Sequence, residues 1–262
     1  MAGIGTLASI ILGISQFAYL GAMLTLGVRL ALLARRTRQL PEALLAVHFL
    51  LCCTLGYSLQ GSGYALAIEP GVSHALVSTL LYVGNAASLL GVASVLVFNY
   101  QVFRRGTRLG RGLLAATLAV LVVGYVGSAT SGSFRHGRPE GFWFWLLYSG
   151  FTVASLWTLA EPLLYFVALR KRLRIGLAEP LVVDRFLLWG VGSVARFAML
   201  AIGAFAMLRL TGAASDLAAV AAPTFLGSGL AGIGVAVSYW LAFFPSRAYL
   251  RFVARRNTQQ HA

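Results

Sequence analysis

Long apolar stretches alternate with short polar breaks along the whole chain. Placing boundaries at the charged and proline-bearing breaks gives seven apolar spans, at about 4–33, 43–68, 75–103, 113–130, 142–169, 181–210 and 217–244. Each is long enough to cross ~30 Å of hydrocarbon, which takes about 20 helical residues. The pattern predicts an all-α bundle of seven transmembrane helices, forming a single domain over residues 1–262.

The breaks carry helix-boundary chemistry. Pro41 with Glu42, Pro139 with Glu140, and Glu179 with Pro180 supply the fixed φ and the acid that suit a first turn, and Asp216 precedes the seventh span. Pro223 lies early in that span, where a proline is tolerated. Pro245 bends or ends it. Pro162 falls well inside the fifth span, removes a backbone donor there and predicts a kink.

Composition supports the membrane reading. Apolar residues make up 59% of the chain and charged residues 11%, against ~25% in soluble domains, too few to give every helix a polar face. The 29 glycines follow no linker or collagen period and suit helices that pack closely in lipid. No basic cluster precedes the first span, so it is expected to remain as a helix and not to be cleaved as a signal peptide.

The formal charge of +14 does not indicate nucleic acid, because the basic residues lie between the spans and not along one face. Four groups hold 16 of the 21: Arg29, Arg35, Arg36 and Arg38; Arg104, Arg105, Arg108 and Arg111; Arg170, Lys171, Arg172 and Arg174; and Arg247, Arg251, Arg255 and Arg256. The intervening loops carry only Glu69, then Arg135, Arg138 and Glu140, then Arg209 and Asp216. The positive-inside rule puts the four basic groups in the cytoplasm and the N-terminus outside, in a multi-pass protein of a bacterial cytoplasmic membrane. Anionic headgroups are the expected partner of those loops, at ~1 kcal/mol per well-placed residue.

Two echoes suggest internal order. The first and fifth spans each end in a basic cluster followed by a Pro/Glu pair, and Gly91-Val92-Ala93 in the third span matches Gly234-Val235-Ala236 in the seventh. Together they point to a 3+1+3 arrangement of two parallel triple-helix units, a plan known among transporters. The match of Ala160-Glu161-Pro162 with Ala178-Glu179-Pro180 is read as chance.

Polar residues within the spans are the candidate functional groups, since each must find a partner in a poorly solvating interior. Glu161 lies ~13 Å from the basic end of the fifth span and directly precedes Pro162; it is either a coupling carboxyl or half of a structural ion pair. Arg196 in mid-span six and Arg185 nearer the cytoplasm are its candidate partners, with Asp184 able to occupy Arg185 instead. His48 and Asn99 complete a polar layer on the cytoplasmic side, where His48 is either a proton-responsive group or a donor to a backbone carbonyl. Tyr57, Gln60, Ser62 and Tyr64 of the second span, with Asn85 and Ser88 of the third, form an outer group suited to a small ligand or to interhelical hydrogen bonds. The aromatic run Phe142–Tyr148 is an interface belt or a gate over an outward-facing site.

Other chemistries lack their residues. His48 has no histidine at matching depth for a bis-histidine haem, and no His/Cys/Asp/Glu group shows metal-ligand spacing. Cys52 and Cys53 are adjacent, point about 100° apart on an α-helix, and are read as buried small hydrophobes. No catalytic-serine elbow or zinc-protease motif occurs.

In helix number and orientation the chain resembles seven-helix receptors, microbial rhodopsins and small seven-helix sugar transporters. The sole lysine, Lys171, lies in a loop, so covalent retinal is excluded. The resulting expectation is a sensor or receptor-like protein that binds a small ligand in the bundle and signals to a cytoplasmic or membrane protein partner. The alternatives are a small-solute or proton-coupled transporter and a structural or assembly subunit of a membrane complex.

Overall fold

The computed structural model describes residues 2–67, 71–134, 141–211 and 217–258, some near the ends and around 210–225 by backbone alone. The described residues form helices and no strand. Seven are long and apolar enough to span a membrane: α1 (Ala2–Thr37), α2 (Leu40–Leu66), α3 (His74–Phe103), α4 (Arg108–Ser131), α5 (Phe142–Arg174), α6 (Pro180–Thr211) and α7 (Leu217–Phe243). A short helix, α8 (Arg247–Thr258), follows. The chain is thus built as a multi-pass integral membrane protein. Large apolar side chains point outward on these helices, as lipid requires: Phe17, Leu90, Leu164 and Leu230 are all exposed.

Helix ends follow the local chemistry. Arg38 adopts φ 56° and closes α1 by donating its N–H to the Ala34 carbonyl at 2.8 Å. Pro41 and Glu42 sit in the first turn of α2, and Pro180 opens α6, as the sequence predicts. The Thr107 hydroxyl accepts from the Gly110 N–H at 3.1 Å and caps α4, and Gly132 ends it at φ 78°. Residues 244–246, with Pro245, separate α7 from α8, so the proline ends the span. Pro162 is accommodated inside α5, which continues from Phe142 to Arg174. The expectations for Glu69, Arg135, Arg138, Pro139, Glu140 and Asp216 lie outside the described residues.

Packing divides the chain into two units. One comprises Met23–Ala154 and Ala204–Val220; the other comprises Met1–Ala22, Ser155–Gly203 and Ala221–Ala262. In the first, α3 is the most enclosed span, with Val77, Leu81, Ala87, Val92, Val95 and Leu96 all buried. The Tyr82 hydroxyl donates to the Ala129 carbonyl at 3.0 Å, the Tyr125 hydroxyl donates to the Tyr82 carbonyl at 3.3 Å, and the Tyr82 ring meets Phe134 edge-on at 5.1 Å. These contacts tie α3 to α4. Gly124 of α4 lies so near the Leu147 backbone of α5 that a methyl group would approach its nitrogen to 2.6 Å. In the second unit, Tyr239 of α7 is buried, its hydroxyl 3.1 Å from Ser193 Oγ of α6, with Gly192 making room for its ring.

Candidate functional site

The seam between α2 and α3 departs from regular helix geometry. Residues His48–Gly56 of α2 form a nine-residue π-helical run, closed by i→i+5 hydrogen bonds such as Tyr57 N–H to the Cys52 carbonyl. The Thr54 hydroxyl also reaches back five residues, to the Phe49 carbonyl at 2.9 Å. Runs of this kind are rare and concentrate at functional sites.

Facing this segment, Gly84 and Gly91 of α3 share a face seven residues apart. A methyl group on Gly91 would lie 2.6 Å from Cys52 Cβ, and one on Gly84 would lie 2.9 Å from the Gln60 nitrogen. Backbone therefore meets backbone along the seam, as small residues permit in lipid.

Within the run, His48 is 2% exposed and its Nδ1 lies 2.9 Å from the Gly91 carbonyl oxygen. A carbonyl can only accept, so Nδ1 carries the proton. Nε2 then faces Cys53 Sγ at 3.5 Å, and Cys53 is 1% exposed. The i→i+5 winding accounts for this pairing, since it stacks residues five apart. One ring nitrogen of His48 and the sulfurs of Cys52 and Cys53 all lie within 4.8 Å of one another. No disulfide joins the two cysteines.

One turn beyond the run, Gln60 crosses the same seam. Its Nε2 donates to Ser88 Oγ at 2.7 Å and to the Gly84 carbonyl at 3.1 Å. Asn85, buried beside them, donates to the Leu81 carbonyl of its own helix at 2.8 Å. Tyr57 and Tyr64 are half-buried on α2, and Tyr64 stands within electrostatic reach of Tyr148 on α5. Tyr148 belongs to an aromatic cluster, with the Phe144 and Trp145 rings 6.1 and 5.8 Å away. Asn99 is fully buried on α3.

The remaining predicted residues belong to the other unit. Glu161 is 5% exposed, and its Oε1 accepts from Trp157 Nε1 at 2.8 Å, one α-helical turn earlier. Pro162 beside it is fully buried. Arg196 is half-buried and Arg185 exposed. Asp184, considered from sequence as a partner for Arg185, accepts a hydrogen bond from the Tyr249 hydroxyl of α8.

The structure thus gathers Gln60 with Ser88 across the seam, and sets Tyr64 within electrostatic reach of Tyr148. It also gathers His48, Cys52 and Cys53, which sequence spacing does not. The signal in the sequence is His48-x-x-x-Cys52, an i,i+4 pair that shares a helix face, extended to Cys53 by the π winding. No family model, curated protein or solved structure matches the chain.

Proposed function

We propose that the protein is a sensor or receptor-like module of a bacterial cytoplasmic membrane, with its N-terminus outside and its C-terminus in the cytoplasm. It binds a small polar ligand at the α2–α3 seam and passes the bound state to a partner protein at its basic cytoplasmic face. The observation that carries the reading is the Gln60 node: one amide held by Ser88 and the Gly84 carbonyl, directly after a π-helical run, with Tyr64 one turn further along α2. Such a node offers exchangeable donors and acceptors beside aromatic surface, the usual make-up of a small-ligand site. The four basic groups support the orientation and rest against anionic headgroups.

The test is a melting-temperature screen of the purified protein against a library of small polar molecules. A ligand of this site raises Tm for the wild type and not for Gln60→Leu, and does not cross proteoliposomes containing the protein. Flux of the same molecule supports a transporter instead. Stabilisation that survives Gln60→Leu overturns the proposed site.

A further inference from the structure

We propose that His48, Cys52 and Cys53 form a binding site for a single Cu(I) ion. The donors are two sulfurs and one imidazole, a soft set that selects Cu(I) or Zn(II) among common metals. Their atoms already converge within 4.8 Å, with Cys53 Sγ 3.5 Å from His48 Nε2. Around a d10 ion with bonds of about 2.3 Å to sulfur and 2.0 Å to nitrogen, a trigonal set places donors roughly 3.7–4.0 Å apart. The cluster reaches that spacing by side-chain adjustments of less than about 1 Å.

The second coordination layer is also in place. Metal-bound imidazoles usually donate their other N–H to a carbonyl or carboxylate, which fixes tautomer and ring plane. The Gly91 carbonyl plays that part toward Nδ1 and directs Nε2 to the sulfurs. The chemistry favours Cu(I) over Zn(II). The group offers three donors, which complete a shell for Cu(I) but leave tetrahedral Zn(II) one short. Cu⁺ displaces the thiol protons of both Cys52 and Cys53: two S–Cu bonds form as two S–H bonds break, and both protons leave to solvent. No electron is transferred.

This site stands apart from the Gln60 node, and the two fail separately: Gln60→Leu leaves Cu(I) binding unchanged, and Cys53→Ser leaves the small-molecule response unchanged.

The test titrates the purified full-length protein with Cu(I) under anaerobic conditions against the chromophoric chelator bicinchoninate. The wild type withdraws one Cu(I) per chain and releases two protons per ion. Cys52→Ser and Cys53→Ser each weaken binding beyond the ~10–100-fold typical of losing a second-layer partner. Both variants are checked for unchanged Tm without metal. X-ray absorption of the copper-loaded wild type, which needs no variant, shows two sulfurs and one nitrogen. No withdrawal of Cu(I), full binding by the double serine variant, a copper shell without nitrogen, or tighter binding of Zn(II) in a four-donor shell overturns the proposal.

Discussion

Gly91→Ala is the sharpest probe of the seam. The added Cβ would lie 2.5 Å from the Cys52 nitrogen, 2.6 Å from its Cβ and 3.0 Å from its Cα. Optimal carbon–carbon contacts fall at about 3.5–4.0 Å, so α2 and α3 must part by roughly 1 Å. All three atoms are backbone or one bond from it, and no flexible side chain can swing aside. Overpacking of this kind costs about 1–3 kcal/mol, or roughly 5- to 140-fold in the folding equilibrium at 1.4 kcal/mol per decade. The shift also draws the Gly91 carbonyl away from His48 Nδ1, now at 2.9 Å. The assay is equilibrium unfolding in mixed micelles of mild detergent and SDS, followed by tryptophan fluorescence. Gly61→Ala is the control. Nothing lies within 4 Å of a methyl group there, and helix propensity adds up to ~1 kcal/mol of stability. An unfolding midpoint for Gly91→Ala equal to that of the wild type would refute the close-approach account.

Two further outcomes follow from other regions. Glu161→Leu strands the buried indole N–H of Trp157 and lowers stability by about 1–3 kcal/mol, whereas Glu161→Gln keeps a carbonyl acceptor and loses less than ~1 kcal/mol in the same unfolding assay; equal losses would remove the indole bond as the cause. For orientation, single cysteines are placed at the exposed positions Ser73 and Ser246 in a Cys52→Ser, Cys53→Ser background. A membrane-impermeant maleimide labels Ser73→Cys on intact cells and Ser246→Cys only after permeabilisation, and the reverse pattern would invert the topology.

The seven spans were legible because a bilayer imposes one demand on every helix, a long apolar run, and charges mark where it stops. Pro41, Pro180 and Pro245 mark boundaries for local reasons that a sequence displays. Pro162, inside its span, marks no boundary, and the helix continues on both sides. The candidate site was harder to see. His48-Phe-Leu-Leu-Cys-Cys-Thr-Leu-Gly56 has nothing in its apolar pattern to separate π from α winding. The segment packs closely against Gly84 and Gly91, more than twenty residues away. Judged at 100° per residue, Cys53 turns away from His48; wound i→i+5, it faces the ring. Glu161 is the opposite case. Its partner Trp157 stands at i−4, within reach of local reasoning, while the charged residues of another helix are the more obvious choice. The bond between Tyr249 and Asp184 joins residues 65 apart and depends on how α8 lies against α6.

The π run also sets the phase between the two ends of α2. Each i→i+5 turn takes up one residue more than an α turn, and one residue is about 100° of rotation and 1.5 Å of rise. His48 grips Gly91 at one end of the run, and Gln60 grips Ser88 beyond the other. Both grips hold together only while the extra length stays wound between them. Were the run to tighten into α-helix with His48 held, Gln60 would swing by about a quarter turn or more and leave Ser88. The present winding is thus what lets both ends of the segment grip α3 at once.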